Sequence, residues 1–321
     1  MPKAFAASPA DVERVYRAIK RIRRVEEVTA DVYPSDQIKS PVHLAIGQEL
    51  VSVAVCDVLE QGDVVGGSYR SHAAFLAKGG SLDAMMAEMY GKDTGCCRGK
   101  GGSMHIGDAG AGVAGSSAVV GTQIPMMAGY ALALKRLARA RVAVVFFGDG
   151  ATEEGCFYET LNFAALMKLP LLFVCENNGY AIHEPIAKRR ARPEALCAIA
   201  NAMGVPARRV ADGNTFAVRD AARSAILRIR DGGGPEFIEA QVYRWREHVG
   251  PNEDFDQDYR CRSEAEPWMA NDEVARLAGL IDPAARARID AEIETEIAAA
   301  LAFAEQSPAP LPQELYADVY A

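Results

Sequence analysis

The sequence lacks long hydrophobic runs and concentrated positive charge. A membrane-spanning helix needs about 18 consecutive apolar residues, and no segment approaches that length. Basic residues occur only in short blocks, such as residues 188–192, and the formal net charge is −8. These absences argue against a membrane partner and a nucleic-acid partner, since both attract basic surfaces. Because residues 1–5 also show no apolar core of a secretory signal, we expect a cytoplasmic protein.

The seven cysteines do not form a recognisable framework. They are scattered rather than arranged in the spaced pairs of disulfide-rich or zinc-binding domains, at Cys56, Cys96, Cys97, Cys156, Cys175, Cys197 and Cys261. The adjacent Cys96 and Cys97 could be reactive, although buried or incidental thiols are the commoner case. No Gly-X-Gly-X-X-Gly motif follows a clear strand, which argues against an ordinary nucleotide-binding scaffold.

The chain has enough apolar material for one large domain. Half of its 321 residues are hydrophobic, and an α/β domain of this size is ordinary. We expect a single domain over residues 1–321, with a helical extension at about 1–40 and a helical tail at about 265–321. In the tail, Ile289, Ile293 and Ile297 recur at helical spacing and predict an amphipathic helix over residues 284–304.

A β-α-β unit occupies the middle of the sequence. Residues 141–147 form a β-branched and aromatic run typical of a buried parallel strand, and residues 171–175 form the next one. Between them, Phe157, Leu161 and Ala164 recur at helical spacing and predict a helix over residues 155–167. By contrast, the glycine-rich residues 91–121 predict a long loop, and loops of that length are usually functional.

Polar residues follow each strand of this unit. Gly148-Asp149-Gly150 comes after the first strand, and Asn178 comes after the second. Parallel strands joined by a right-handed crossover have neighbouring carboxyl ends, so Asp149 and Asn178 can reach one ion. Their oxygens suit Mg²⁺, and the glycines would let main-chain amides approach a diphosphate. Each half alone could be an ordinary turn, but the joint spacing favours a site that holds a metal ion and a diphosphate.

Several further motifs accompany this pair. They are His43-Leu44-Ala45-Ile46-Gly47-Gln48-Glu49, Tyr69-Arg70-Ser71-His72, Arg98-Gly99-Lys100-Gly101-Gly102-Ser103-Met104-His105, Val119-Val120-Gly121-Thr122-Gln123-Ile124-Pro125 and Tyr243-Arg244-Trp245-Arg246-Glu247-His248. With them the chain resembles, over roughly residues 10–265, the α subunits of the thiamine diphosphate-dependent dehydrogenases that form the first component of 2-oxo acid dehydrogenase complexes. Pyruvate, branched-chain and acetoin dehydrogenases are the best-known members. The resemblance implies an α/β thiamine diphosphate-binding fold, with a mostly parallel sheet and helices on both faces.

The resemblance and the residue chemistry together give a candidate site. A guanidinium beside a phenol suits diphosphate oxygens, so Tyr69 and Arg70 are candidate cofactor ligands, as in the family. Val120 matches a family position whose main chain contacts the aminopyrimidine ring, and Ala118 matches one that is often glycine. The other cofactor-binding candidates are Asp149, Gly150, Ala151, Asn178, Tyr180 and His248, and the metal-ligand candidates are Asp149, Asn178 and Tyr180.

Two histidines are the catalytic candidates. His248 follows a strand in a pattern that matches the active-site histidine of the family, and an imidazole near neutrality can orient or protonate a reacting group. His72 is the second candidate. His105 has a weaker claim, and His43 and His183 have weaker claims still.

The resemblance implies both a reaction and partners. With thiamine diphosphate and Mg²⁺, the enzyme would decarboxylate a 2-oxo acid and pass the acyl group to a lipoyl-bearing acyltransferase. In the family, the glutamate that activates the cofactor belongs to a separate β subunit with a pyrimidine-binding domain. We therefore expect an α₂β₂ assembly whose active site lies between α and β.

Two alternatives remain open. Glu247 replaces the glycine common before His248, and residues 249–253 replace a serine-containing loop that is phosphorylated in animal pyruvate dehydrogenases. This departure leaves the substrate open, and an acetoin-cleaving or transketolase-like enzyme that moves a two-carbon unit to a carrier or biosynthetic intermediate would also fit. The third hypothesis is a non-catalytic scaffold subunit. The presence of all the residues predicted to hold the metal ion and the diphosphate argues against it.

Overall fold

Among the described residues, the sheet at the centre of the fold has six strands, and every pairing in it is parallel. The computed structural model describes residues 7–211 and 213–317, so residues 1–6, 212 and 318–321 lie outside the description. The strands are β1 (Val64–Ser68), β2 (Val113–Ser117), β3 (Ala143–Gly148), β4 (Leu171–Asn177), β5 (Tyr180–Ala181), β6 (Glu184–Pro185), β7 (Ala207–Val210) and β8 (Glu236–Gln241). The sheet order is β2-β1-β3-β4-β8-β7, and β5 and β6 form a separate antiparallel pair.

Helices pack on both faces of the sheet. They are α1 (Pro9–Val32), α2 (Glu49–Cys56), α3 (His72–Ala77), α4 (Leu82–Met89), α5 (Gln123–Arg136), α6 (Gly155–Met167), α7 (Ile186–Arg189), α8 (Leu196–Ala202), α9 (Thr215–Arg230), α10 (Arg262–Ala270), α11 (Glu273–Ala278) and α12 (Pro283–Gln306). Along β4, Leu172 and Val174 face a core shared with α1, α2 and α9, whereas Leu171 and Phe173 face one shared with α5 and α6. The expected α/β fold is therefore confirmed. Across the described residues, no helix has the length and apolar character needed to cross a bilayer.

The β-α-β unit forms as the sequence predicts. β3 and β4 are buried along almost their whole length, and α6 has the predicted bounds. The two strands pair in parallel from Ala143 opposite Leu171 to Gly148 opposite Glu176. The residues that follow both strands therefore emerge at the same edge of the sheet.

The terminal helices also follow from local signals. Ser8 caps α1, because its Oγ accepts from the Asp11 amide at 3.1 Å and the Asp11 carboxylate accepts from the Ser8 amide at 3.1 Å. In α12 the predicted apolar stripe of Ile289, Ile293 and Ile297 is buried, which confirms the amphipathic helix. The single-domain organisation of residues 1–321 stays a prediction.

The glycine-rich segment is the main error of the secondary-structure prediction. Residues 91–121 are not all loop, because β2 lies within them at the edge of the sheet. β1, which pairs with β2, also lacks the run of branched apolar residues that predicts a strand. A Cβ at Gly66 would lie 2.6 Å from Met127 Sδ, and one at Gly67 would lie 2.4 Å from Ser71 Oγ. Close packing thus selects glycine and removes the branched side chains that usually reveal a strand.

Candidate active site

A cavity of about 250 Å³ opens at the carboxyl ends of β1, β3 and β4. The strand order reverses between β1 and β3, and open α/β sheets bind ligands at such a switch point. Eight of the predicted site residues line this cavity: Tyr69, Arg70, Val120, Gly150, Ala151, Asn178, Tyr180 and His248. We take it as the candidate cofactor site.

Arg70 supplies a buried positive charge at this cavity. Its Nη1 donates to the Leu44 carbonyl at 2.6 Å, and its Nη2 donates to the His248 carbonyl at 3.1 Å. Within residues 7–211 and 213–317, no carboxylate forms an ion pair with it. Burial, with the nearby Arg244, lowers the pKa of Arg70 to about 10, which leaves it charged at neutral pH. A buried guanidinium bonded only to carbonyl groups favours an anionic ligand.

Asp149 has an unsatisfied carboxylate oxygen. Its Oδ2 pairs with the Arg189 guanidinium, whereas Oδ1 is buried and has no hydrogen-bond partner. Burial raises the pKa of Asp149 to about 6, and Arg189 opposes that rise. The neighbouring Gly148 lines the cavity, and a Cβ there would meet nothing within 4 Å. Asp149 itself does not line the cavity, but its neighbours Gly148 and Gly150 do. An orphaned buried carboxylate oxygen at this position fits a metal ligand, since a cation would satisfy it.

Asn178 and Tyr180 are held by neighbouring side chains. The Asn178 Nδ2 donates to Gln48 Oε1 at 2.8 Å, and Asn178 Oδ1 accepts from the Tyr180 amide at 3.0 Å. Because an amide oxygen has two lone pairs, Oδ1 keeps one for an ion. The Tyr180 hydroxyl donates to Glu264 at 2.7 Å. A metal contact by Tyr180 would therefore come from its main-chain carbonyl rather than from its hydroxyl.

His248 lies in a cluster of three rings. Its centroid is 5.1 Å from His43 and 5.5 Å from Tyr69, and His43 and Tyr69 are 4.4 Å apart. Burial, followed by the charge of Arg70, lowers the pKa of His248 to about 3 and that of His43 to about 2. Both imidazoles are therefore neutral at pH 7. The sequence ranked His43 low because only the fold brings it to His248.

Three predicted site residues, His72, Ala118 and Asp149, do not line the cavity. His72 is fully buried, with Nδ1 3.1 Å from Glu26 Oε2 and Nε2 2.8 Å from Ser103 Oγ. Glu26 also accepts from the Ala45 amide at 3.0 Å. His72 thus joins α1 to the glycine-rich segment, and this placement argues against its predicted catalytic role. Ala118 is half-buried and lies just outside the lining residues.

The unusual loop after His248 is closed by Glu247. The Glu247 carboxylate accepts from the Asn252 amide at 2.8 Å, and the Gly250 amide donates to the Val42 carbonyl at 2.8 Å. Gly250 has φ +119°, a conformation that favours glycine. The residue that replaces the family glycine therefore fixes a turn beside the cavity.

Three carboxyl groups also line the cavity, those of Glu153, Glu154 and Glu176. Burial raises the pKa of Glu176 to about 8, and Arg70 opposes that rise. Glu176 is therefore mostly protonated at pH 7, and an anionic ligand would meet the carboxylates of Glu153 and Glu154 as well as Arg70. A divalent cation bound with it would offset the repulsion.

Sequence reasoning missed several cavity residues. Gln48 lies in a motif that marked the family but carried no assigned role. Ile182 is 57% exposed, lines the cavity and has φ +55°, which is rare for a β-branched residue and marks a conformation imposed by its surroundings. No sequence signal connected Arg189 to Asp149.

Known proteins with similar sequences identify the family to which the chain belongs. The family model for the dehydrogenase E1 component matches residues 17–313. The chain belongs to the dehydrogenase E1 component family. Similar E1-type proteins include the α subunits of acetoin:2,6-dichlorophenolindophenol oxidoreductase from Bacillus subtilis and Cupriavidus necator, each 37% identical. The alignments cover 95% and 98% of this chain and 92% and 96% of those relatives, respectively. The pyruvate dehydrogenase E1 component α subunit of Porphyra purpurea is also 37% identical, over 93% of this chain and 90% of its own.

Membership of the E1 family confirms the predicted family, cofactor class and enzyme class. The chain is an α-type subunit of a thiamine diphosphate-dependent 2-oxo acid dehydrogenase, an oxidoreductase that works with a β subunit. The buried cation of Arg70 and the orphaned Oδ1 of Asp149 fit a diphosphate and its metal ion. The hypothesis of a non-catalytic scaffold loses its support.

Proposed function

We propose that this subunit binds thiamine diphosphate with Mg²⁺ in the cavity and, with its β subunit, oxidatively decarboxylates a 2-oxo acid. The acyl group passes to a lipoyl-bearing acyltransferase. One observation carries the proposal: a buried carboxylate oxygen of Asp149 lacks a partner beside a cavity that also holds the guanidinium of Arg70. We further propose a cytoplasmic location, as the sequence predicts.

Different polar residues would bind the metal ion and the diphosphate. Asp149 and Asn178 would supply side-chain oxygens to Mg²⁺, and Tyr180 would supply its main-chain carbonyl. Arg70 and Tyr69 would hold diphosphate oxygens on the opposite side. This division places positive charge on both sides of the diphosphate, as its negative charge requires.

The remaining lining residues contribute main chain and shape. Gly150 and Ala151 follow β3 and would present main-chain groups to the diphosphate end. Val120, with Ala118 beside it, would present main chain toward the ring end of the cofactor. Ala118 needs no side-chain contact for this, which agrees with its place just outside the cavity wall.

The chemistry of decarboxylation comes from the cofactor, which supplies the nucleophile and accepts the electrons of the broken bond. The protein residues bind, orient and move protons. The neutral imidazole of His248 offers one ring nitrogen as a hydrogen-bond donor and the other as an acceptor at the substrate end of the cavity, because burial keeps its pKa low. His43 and Tyr69 hold that ring in place by edge-on contacts.

The β subunit would dock on a surface that we call the α5–α6 face. It consists of the exposed apolar residues Met126 and Tyr130 of α5 and Phe163 and Leu166 of α6. Val119, which is 62% exposed, lines the cavity and also reaches the surface. Apolar exposure of this kind usually marks a protein interface. We propose an α₂β₂ assembly in which the pyrimidine-binding domain of the β subunit completes the cavity.

Acetoin is the second candidate substrate. The two relatives whose names contain acetoin and the Porphyra purpurea relative whose name contains pyruvate are equally similar to this chain, at 37% identity. The loop closed by Glu247 also departs from the family pattern. Turnover of acetoin and of a graded series of 2-oxo acids, followed with an artificial electron acceptor, separates the two. Preference for acetoin by the α–β pair would replace the 2-oxo acid proposal.

Calorimetric titration of thiamine diphosphate and Mg²⁺ tests the site itself. We expect tight binding that requires Mg²⁺ in the wild-type α–β pair and loss of that binding in Asp149→Asn. Asp231→Asn, at an exposed position after α9, is the matched control and should bind normally. The proposed metal site would be wrong if Asp149→Asn still bound thiamine diphosphate tightly, or if the wild type bound it equally well without Mg²⁺.

A further inference from the structure

Glu88, Cys96 and Cys97 form a cluster away from the cofactor cavity. One carboxylate oxygen and the two Sγ atoms all lie within 4.8 Å of one another. Two sulfurs that bind one zinc ion at about 2.3 Å can be no more than about 4.6 Å apart, so a small adjustment brings the ligands to binding distance. We infer that Cys96 and Cys97 form a second ion site, which takes a thiophilic divalent cation such as Zn²⁺ or Cd²⁺, with the Glu88 carboxylate as a fixed negative charge beside it.

The segment that carries the thiols is rigidly held. The Glu88 carboxylate accepts four main-chain hydrogen bonds, from Cys97 at 2.8 Å, Gly99 at 2.9 Å, Gly101 at 2.7 Å and Gly102 at 3.0 Å. The carboxylate is fully buried, and these donors fix the residues after it around its two oxygens. The two thiols are therefore presented together at little cost in conformational entropy. Glu88 also places a negative charge beside an incoming cation.

An ion can reach this cluster from solvent. Both thiols are half-buried, and both line an open cavity of about 770 Å³ between β1 and the glycine-rich segment. Binding of one divalent cation by both sulfurs releases the thiol protons to solvent.

The ligand chemistry separates this site from the one at Asp149. Oxygen ligands select a hard ion such as Mg²⁺, whereas two thiolates select a soft ion. Over the part of the chain that the structure describes, this is the one cluster of three histidine, cysteine or acidic residues with such spacing. A bound ion would fix residues 88–102, which lead directly to Ser103, the hydrogen-bond partner of His72.

Titration with Cd²⁺ tests this inference on the full chain, alone and with its β subunit, without added Mg²⁺ or thiamine diphosphate. We expect a thiolate-to-metal charge-transfer absorbance that saturates at one ion per chain, together with proton release. Zn²⁺ should compete with Cd²⁺. Cys97→Ser and Cys96→Ser should each abolish the absorbance, and circular dichroism checks that both variants fold.

Two other cysteines provide matched controls. Cys261→Ser, at an exposed position, and Cys156→Ser, at a half-buried one, should keep the full absorbance and stoichiometry. The inference fails if the absorbance never appears, if it persists in folded Cys96→Ser or Cys97→Ser, or if Cys261→Ser removes it. It does not rest on the proposed function, because none of these readouts requires the cofactor.

Discussion

Arg189 pairs with Oδ2 of Asp149 and leaves Oδ1 of the same carboxylate buried without a partner. The guanidinium also pairs with Glu153, and the adjacent Arg190 donates to the Thr152 carbonyl at 2.6 Å. The end of α7 is therefore bonded to the turn that follows β3. This contact orients the carboxylate and opposes the effect of burial, which would otherwise favour its protonated form.

Arg189→Gln should weaken Mg²⁺-dependent cofactor binding. Ligating carboxylates are oriented by their own partners, and loss of such a partner costs about 10-fold or more in metal affinity. Calorimetry at a series of Mg²⁺ concentrations measures the effect. Arg192→Gln, which removes an exposed arginine paired with Glu194, should bind as the wild type does. Tighter binding in Arg189→Gln would show instead that Arg189 competes with the ion.

Gly148→Ala should separate folding from binding. The Gly148 backbone, with φ −79° and ψ 165°, suits any residue, and the added methyl group would enter open space. We expect an unchanged melting temperature and a clear loss of cofactor affinity by calorimetry. Gly155→Ala, where a Cβ also meets nothing within 4 Å, is the control. Unchanged binding in Gly148→Ala would place the ligand elsewhere.

His72→Ala should lower stability rather than remove a catalytic group. Loss of the contacts to Glu26 and Ser103 leaves buried polar atoms without partners, which costs about 2–4 kcal/mol of unfolding free energy. Urea unfolding measures this loss. The prediction is wrong if the variant keeps wild-type stability and cofactor affinity but loses turnover, since a catalytic role would then be required.

The low pKa of His248 makes the stability of the cofactor-free protein depend on pH. Burial holds the folded-state pKa at about 3, below the ordinary value of 6.5. The neutral ring therefore contributes stability above about pH 6.5, and that contribution falls as the pH drops toward 3, because the unfolded chain binds the proton first. Denaturant unfolding at pH 7.5 and pH 5 should show a smaller loss of stability in His248→Gln than in the wild type. His105→Gln, at an exposed position, should follow the wild-type profile; an unchanged profile in His248→Gln would contradict the assignment.

Met126→Glu should impair assembly with the β subunit. A charge in the α5–α6 face would be buried on docking without a partner, which strongly disfavours association. Size-exclusion chromatography with light scattering should show separate subunits or a raised Kd. Leu227→Glu, at an exposed position on α9 across the sheet, should assemble normally. Normal assembly of Met126→Glu would move the interface to another surface.

The β-α-β unit could be predicted from local patterns because its signals are local. The apolar runs of β3 and β4 and the spacing of Phe157 and Leu161 report burial directly. Since parallel strands have neighbouring carboxyl ends, the sequence also predicted that Asp149 and Asn178 would lie near one another in the fold. β1 escaped prediction because close packing at Gly66 and Gly67 excludes the side chains that would have marked a strand. β2 escaped because Val113 is its one β-branched residue.

The sequence by itself determined the parallel α/β sheet, the family and the polar residues that follow β3 and β4. Only the tertiary structure decided which other residues meet there. His43 packs against His248, and Arg189 orients Asp149. His72 is hydrogen-bonded to Glu26 and Ser103 outside the cavity, although the adjacent Tyr69 and Arg70 of the same motif line it. The physical reason is that strand and helix periodicity acts over a few neighbouring residues. A hydrogen bond or an ion pair between distant segments instead depends on how the helices pack on the two faces of the sheet.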